Sequence, residues 1–165
     1  MNRKDRNEAA LSRLHPRFAE KVRLLLLRCE ARGMKLCITD GYRSSEEQER
    51  LYTQGRTTPG LRVTNAPPWT SYHQYGLAID VVDFASAGDP DTFDVEDYQA
   101  THYPEIESIA VAMGLEAGGM WHSGRDLPHF EWHPGFTKRD AEELRPYAEP
   151  DGSLPLTFFD AKGTA

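Results

Sequence analysis

The sequence lacks an apolar run long enough to cross a lipid bilayer. Its apolar runs, such as the leucine stretch at residues 24–27 inside a charged segment, are only a few residues long, whereas a transmembrane helix needs about 20 apolar residues. The N-terminus, Met1-Asn2-Arg3-Lys4, is charged and is not followed by the apolar core and cleavage site of a secretory signal. We therefore expect cytoplasmic synthesis without a signal peptide, and no stable insertion into a membrane.

Cysteine and positive charge are also scarce. The spacing of Cys29 and Cys37 matches no zinc-ligand or redox motif, so we interpret both as buried apolar residues. Lysine and arginine number 19 against 26 aspartates and glutamates, which gives a formal net charge of -7. This balance argues against nucleic acid as a partner, because such binding depends on a basic surface. The sequence has no repeats and no heptad pattern, and we expect a monomer.

Hydrophobic periodicity predicts one domain that mixes helices and strands. Apolar residues at three- and four-residue steps predict helices over 16–32 and 105–113, and Ser44 with Glu47 forms a capping-box signature for a helix to about residue 54. Strands are predicted over 34–39, 77–83, 115–121 and 129–132, with a surface loop over 56–70 and a short helix over 138–144. We assign residues 1–148 to a catalytic domain and 149–165 to a C-terminal tail.

Three side chains predict a metal site. Asp80 is a carboxylate within an otherwise apolar strand, His73 lies just before that strand, and His129 begins a second one. A zinc hydrolase needs three such ligands and an open position for water, so neighbouring strands would bring the three together. Taken singly, each histidine has an alternative reading as a structural or surface residue, and Asp80 as a carboxylate that accepts backbone hydrogen bonds.

These residues lie in motifs of a known family. The motifs are Gly41-Tyr42-Arg43-Ser44, Ser71-x-His73-x-x-Gly76-x-Ala78-x-Asp80 and Asp126-x-Pro128-His129-Phe130-Glu131. In order and spacing they resemble the D-alanyl-D-alanine carboxypeptidase-like zinc metallopeptidases. The sequence is most similar to their L-alanyl-D-glutamate peptidase branch, which includes bacteriophage endolysins. The resemblance covers roughly residues 14–132.

The resemblance implies an α+β fold in which helices flank a small central antiparallel sheet that carries the zinc site. It implies that His73, Asp80 and His129 bind Zn²⁺, that Asp126 is the general base, and that Arg43 contacts a substrate carboxylate or the oxyanion. Asp126 could instead be a turn residue. Arg43 could instead form a surface salt bridge with Glu46 or Glu47.

The sequence gives weaker evidence for further residues that contact the substrate. Gln48, Ser71 and His122 are candidate substrate contacts, although Gln48 and His122 could equally face solvent. His133 is excluded as a ligand because four strand residues would place it about 13 Å from His129. The acidic segment with Asp89, Asp91, Asp94, Glu96 and Asp97 does not match a calcium-binding loop.

The resulting hypothesis is a zinc peptidase that cuts the peptidoglycan stem peptide at the L-alanyl-D-glutamate bond. Without a signal peptide it fits a phage or prophage endolysin that acts on the wall after release. Two alternatives stay open: a D-alanyl-D-alanine carboxypeptidase or dipeptidase on the same fold, and a zinc-containing recognition module without activity.

Overall fold

The computed structural model describes residues 2–83, 102–133, 141–150 and 154–155. The α-helices in these ranges are α1 (Arg3–Leu11), α2 (Pro16–Glu30), α3 (Ser45–Thr53) and α4 (Tyr103–Ala112). The strands are β1 (Leu36–Asp40), β2 (Ala78–Asp83), β3 (Glu116–Ala117) and β4 (His129–Glu131). Short 3₁₀ helices span Tyr72–Tyr75, Gly118–Met120 and Ala141–Tyr147. None of the described helices is long and apolar enough to cross a membrane.

The four strands form one antiparallel sheet in the order β1-β2-β4-β3. Because side chains alternate along a strand, β2 presents Ile79 and Val81 to one face and Asp80 to the other. Ile79, Val81 and Phe130 of β4 are fully buried in the main hydrophobic core together with residues of α2 and α4. The main core therefore occupies one face of the sheet, and the other face carries Asp80 and a small apolar cluster of Cys37 and Val82.

The sequence motifs at the helix ends act as predicted. Pro16 stands in the first turn of α2, and the Ser44 side chain accepts a hydrogen bond from the Glu47 backbone N–H at the start of α3. The capping residue matters because Ser44 directly follows Arg43, whose position depends on that turn.

Gly76 fixes the turn between the 3₁₀ helix Tyr72–Tyr75 and β2. Its φ of 66° lies in the left-handed region, and a Cβ atom there would stand 2.8 Å from the backbone nitrogen of His15. The Gly76 carbonyl accepts a hydrogen bond from that same nitrogen at 2.9 Å. Only glycine permits this turn, which sets where His73 sits relative to β2.

The predicted α+β class and antiparallel sheet are confirmed. Residues 115–121 form only the two-residue strand β3 followed by a 3₁₀ turn, and a Cβ atom on Gly118 in that turn would stand 2.5 Å from the Asp126 carbonyl oxygen. Helix α1 was not predicted, and Cys29 and Cys37 are buried as expected.

The C-terminal region is described only in part. Of the predicted helix over 138–144, the described residues form part of the 3₁₀ helix Ala141–Tyr147. Leu154, in the predicted tail, is buried in the main core. The division at residue 148 stays a prediction, and the acidic segment 89–97 lies outside the described residues.

Candidate active site

Two neighbouring strands and a 3₁₀ turn bring the three predicted metal ligands together. Asp80 on β2 stands directly opposite His129 on β4 in the strand register, and His73 projects from the turn that precedes β2. The His129 Nδ1 atom lies 3.0 Å from Asp80 Oδ1 and 3.3 Å from His73 Nε2, and the last two atoms are 3.5 Å apart. The three atoms thus form a nearly equilateral triangle.

Hydrogen bonds on the far side of each ring fix which nitrogen faces this triangle. The Nδ1–H of His73 donates to the Gly41 carbonyl at 2.7 Å, which leaves Nε2 as the available lone pair. In His129 the roles are exchanged: Nε2–H donates to Glu131 Oε2 at 2.8 Å, and Nδ1 points toward the triangle. Partners of this kind orient histidine ligands in metal sites.

The protein groups alone favour a positive charge at this point. Burial by itself would raise the pKa of Asp80, but His73 and His129 lower it far below its usual range. Burial by itself would lower the pKa of His129, but hydrogen bonds with Asp80 and Glu131 raise it to about 10. A cation in the triangle satisfies the same preference.

The donor set fits a zinc ion. Zinc bonds to nitrogen and oxygen of about 2.0 to 2.2 Å place the ligand atoms of a tetrahedral site about 3.3 Å apart, close to the spacings between His73, Asp80 and His129. Two imidazoles and one carboxylate are also the ligand types that zinc accepts in hydrolases.

A second layer of polar side chains stands behind His129. Glu131 accepts a hydrogen bond from His133 Nε2 at 2.7 Å as well as the bond from His129. Burial would raise the pKa of Glu131, but the two histidines lower it to about 2. His133 Nδ1 lies 3.3 Å from Glu116 Oε2, and Glu116 accepts the indole N–H of Trp121 at 2.5 Å. His133 thus supports the site without being one of its three ligands.

A groove of about 830 Å³ opens above the triangle. The residues that line it include His73, His129, Ser71, Trp121 and Asp126. Trp121 also stands 5.2 Å, centroid to centroid, from the His129 ring. The groove therefore gives a ligand access to the metal-binding face.

Asp126 lies at the wall of this groove. Its side chain contacts solvent, but partial burial and the negative charge of Asp80 raise the pKa of its carboxyl above the ordinary value. The charges of His129, His73 and Arg43 oppose that rise. Asp126 lines the groove together with His73, His129 and Arg43, and a general base has to share the groove with the metal-binding face in this way.

Arg43 is held by two side chains rather than by Glu46 or Glu47. Its guanidinium forms an ion pair with Asp40 and donates to Gln48 Oε1 at 2.8 Å. Its backbone N–H donates to the His73 carbonyl at 3.1 Å. Arg43 therefore lines the groove in a fixed orientation beside the metal-binding face.

Two predicted substrate contacts, Gln48 and His122, do not line the groove. Gln48 is fully buried and reaches Arg43, the Ala66 carbonyl at 2.7 Å and Thr64, so it supports the groove from beneath. His122 is exposed and is not among the residues that line the groove. Helix α3 is amphipathic, and Gln48 faces its buried side, which explains why a polar residue is hidden there.

Sequence reasoning did not identify several residues of the site. They are Asp40, Glu116, Glu131, Arg62 and Arg125. Only Glu131 had a usable signal: it is two residues from His129 on one strand and must share its face. The others come from loops or from distant strands.

Comparison with known proteins agrees with these motifs. Residues 11–137 match the VanY family, described as D-alanyl-D-alanine carboxypeptidase. The chain is 38% identical over 127 residues to the peptidoglycan L-alanyl-D-glutamate endopeptidase CwlK of Bacillus subtilis, an alignment that covers 74% of this chain and 75% of CwlK.

Solved structures share the fold at low sequence identity. The L-Ala D-Glu endopeptidase ChiX of Serratia marcescens has a TM-score of 0.54 and 23% identity, over 86% of this chain and 90% of ChiX. The D,D-pentapeptidase VanY of a VanB-type resistance cassette, solved with Zn(II), has a TM-score of 0.51 and 18% identity, over 70% of each chain. The family match spans most of this sequence, and the chain therefore belongs to the VanY family of D-alanyl-D-alanine carboxypeptidase-like metallopeptidases.

Proposed function

We propose that the protein is a zinc-dependent peptidoglycan peptidase that hydrolyses the L-alanyl-D-glutamate bond of the stem peptide. The observation that carries this proposal is the triangle of His73, Asp80 and His129 at the floor of an open groove with Asp126 at its wall. The identity of 38% with CwlK supports the choice of bond.

The proposed roles follow from the surroundings of each side chain. His73, Asp80 and His129 hold the ion, which when bound supplies Lewis acidity to activate water and polarise the scissile carbonyl. Asp126 accepts a proton from the attacking water and delivers it to the leaving amine, a task that its raised pKa favours. Arg43, oriented by Asp40 and Gln48, stabilises the oxyanion or binds a substrate carboxylate.

Ser71 lines the groove two residues before His73, and we propose that it contacts the bound peptide. Gln48 acts indirectly through Arg43 and the segment around Ala66. His122 is exposed and does not line the groove, so we assign it no contact with the substrate.

A carboxypeptidase or dipeptidase that releases D-alanine is the second candidate. The description of the matching family and the D,D-pentapeptidase activity named for VanY favour it. Both candidates use the same ligands and the same base, and they differ in how the groove beyond the ion binds the peptide.

The test is digestion of purified peptidoglycan by the zinc-loaded protein and by its Asp126→Ala variant. New amino termini on D-glutamate, identified by mass spectrometry and absent with the variant, are the expected result. We expect the variant to lose at least about 100-fold in rate because it lacks the general base, while it keeps its zinc.

Release of free D-alanine would instead establish the carboxypeptidase. No cleavage by the zinc-loaded wild type would favour a recognition module without activity. A role in host lysis as a phage or prophage endolysin is part of the proposal. It predicts that the protein lyses cells only when it can reach the peptidoglycan, whether it is supplied from the cytoplasm or from outside the cell.

A further inference from the structure

Two groove arginines form no ion pair with a carboxylate among the residues that the structure describes. Arg62, in the loop over 56–70, and Arg125, next to Asp126, both line the groove and are exposed. Neither guanidinium forms an ion pair or a side-chain hydrogen bond with any residue in the described ranges. Arg125 is close enough to Glu107 to offset part of the rise that burial causes in the pKa of that carboxyl.

The acidic groups of the groove are engaged elsewhere. Asp40 pairs with Arg43, and Glu131 accepts hydrogen bonds from two histidines. Asp126 lines the same groove as the ligands His73 and His129 and is the proposed general base. Positive charge at Arg62 and Arg125 is therefore available to a ligand.

The backbone that carries Arg62 is closely packed. Gly55 has a φ of 71°, and a Cβ atom on it would stand 2.7 Å from the Arg62 backbone nitrogen. The Gln54 side chain donates to the Leu61 carbonyl at 3.0 Å, and Gln48 donates to the Ala66 carbonyl at 2.7 Å. These contacts hold the loop against α3 on both sides of Arg62.

The backbone next to Arg125 is fixed in a similar way. The Asp126 N–H donates to the Gly118 carbonyl at 3.1 Å, and the His129 N–H donates to the Asp126 carbonyl at 3.2 Å. A Cβ atom on Gly118 would lie 2.5 Å from the Asp126 carbonyl oxygen, so the two segments are in close contact. Both arginines thus rise from anchored backbone.

A guanidinium is matched in shape and charge to a carboxylate, which it binds with paired hydrogen bonds. A D-glutamate residue in a peptide uses one carboxyl group in the chain and keeps the other free. The protein as a whole is acidic, with a net charge of -7, and would repel such a ligand unless local cations attract it.

We propose that Arg62 and Arg125 form a carboxylate-recognition pair that selects stem peptides whose D-glutamate carboxylate is free over those in which it is an amide. The proposal rests on the proposed function, because that function supplies the glutamate. It assigns specificity to residues that do not bind the ion.

The test compares two synthetic peptides that share the L-alanyl-D-glutamate bond and differ only in whether the spare carboxyl group is free or amidated. Hydrolysis by zinc-loaded wild type, Arg62→Gln and Arg125→Gln is measured as kcat/KM. Binding of both peptides to zinc-loaded protein with Asp126→Ala, with and without each arginine substitution, is measured by calorimetry. Arg28→Gln is the matched control, since Arg28 is an exposed arginine on α2 outside the groove lining.

We expect wild type to prefer the free carboxylate by about tenfold or more, and each groove substitution to cost about tenfold on that peptide alone, the size of one charged hydrogen bond. Arg28→Gln should leave both peptides unchanged. Equal use of the two peptides by wild type, or equal losses on both in the variants, would overturn the proposal. If wild type cleaves neither peptide, the proposed function fails, and the binding comparison alone then decides whether the arginines recognise carboxylate.

Discussion

Glu131 connects a metal ligand to the second layer of the site. Its two carboxylate oxygens accept hydrogen bonds from His129 and His133, so both rings are oriented by one side chain. In Glu131→Gln one oxygen becomes an amide N–H₂ that cannot accept. We expect zinc affinity to fall by about 10- to 100-fold, the usual effect of losing such a partner, as measured by competition with a fluorescent chelator.

The control for this change is Glu47→Gln, which removes the same charge from a half-exposed helix position where the carboxylate pairs with Arg50. That variant should bind zinc like wild type. Unchanged zinc affinity in a folded Glu131→Gln protein would show that Glu131 does not orient His129.

The 3₁₀ helix Tyr72–Tyr75 depends on its closing glycine. Gly76→Ala forces a side chain into the left-handed region and against the backbone of His15, whereas Gly114→Ala meets the same φ constraint with no atom within 4 Å. The strain alone costs about 1 kcal/mol. We expect Gly114→Ala to lose about that much free energy of unfolding in urea, and Gly76→Ala clearly more.

Because the Gly76 N–H donates to the His73 carbonyl, only the Gly76 variant should also weaken zinc binding. Equal destabilisation by the two substitutions would mean that the contact with His15 relaxes without cost, and that the turn is less constrained than its packing implies.

At the level of elements, the long helices, the buried strand and the family motifs were predictable because each leaves a local pattern in the sequence. Helix α2 has clear apolar periodicity, and strand β2 is an almost continuous buried run in which Asp80 is the exception. Helix α1 has little, since most of its residues are polar and its buried Asn7 acts by hydrogen bonds to Leu36 and Ile38 of β1. Neither helix propensity nor hydrophobic periodicity reveals a contact that is made by hydrogen bonds.

The residues of the candidate site likewise fall into those that a local sequence pattern predicts and those that only the folded structure brings together. The sequence predicted His73, Asp80, His129, Asp126 and Arg43 because they lie in spaced motifs. The structure places four of them in the lining of one groove and Asp80 3.0 Å from His129, and their roles stay predictions. The second layer was missed because Glu116 meets His133, and Asp40 meets Arg43, only after the strands have paired. Gln48 was placed in the groove because a sequence does not show which polar residue of a short helix faces inward.

Folding stability of the whole molecule should depend on His15. It stands at the start of α2 with its side chain buried near Pro155, and burial together with the nearby Arg17 lowers its pKa. An unfolded chain takes up the proton first as pH falls, so the stability associated with neutral His15 is fully present above about pH 6.5 and is lost below it.

The measurement is the free energy of unfolding in urea at about pH 7.5 and about pH 5.5, with zinc saturating at both. In His15→Gln the decrease between the two values should be smaller than in wild type by up to roughly 1 kcal/mol. The same pH dependence in both proteins would show that His15 does not contribute to it.

The pairing of Asp80 with His129 across β2 and β4 has a further consequence for the folding equilibrium. These residues are 49 positions apart in the chain and meet only once the sheet has formed. An ion bound between them would therefore cross-link the two strands, and the unfolded state could not bind it in this way. By mass action, free zinc at about 100 times its dissociation constant would add about 2.7 kcal/mol to stability. Thermal stability would then report metal occupancy, and a chelator would loosen the centre of the sheet before any peptide is cut.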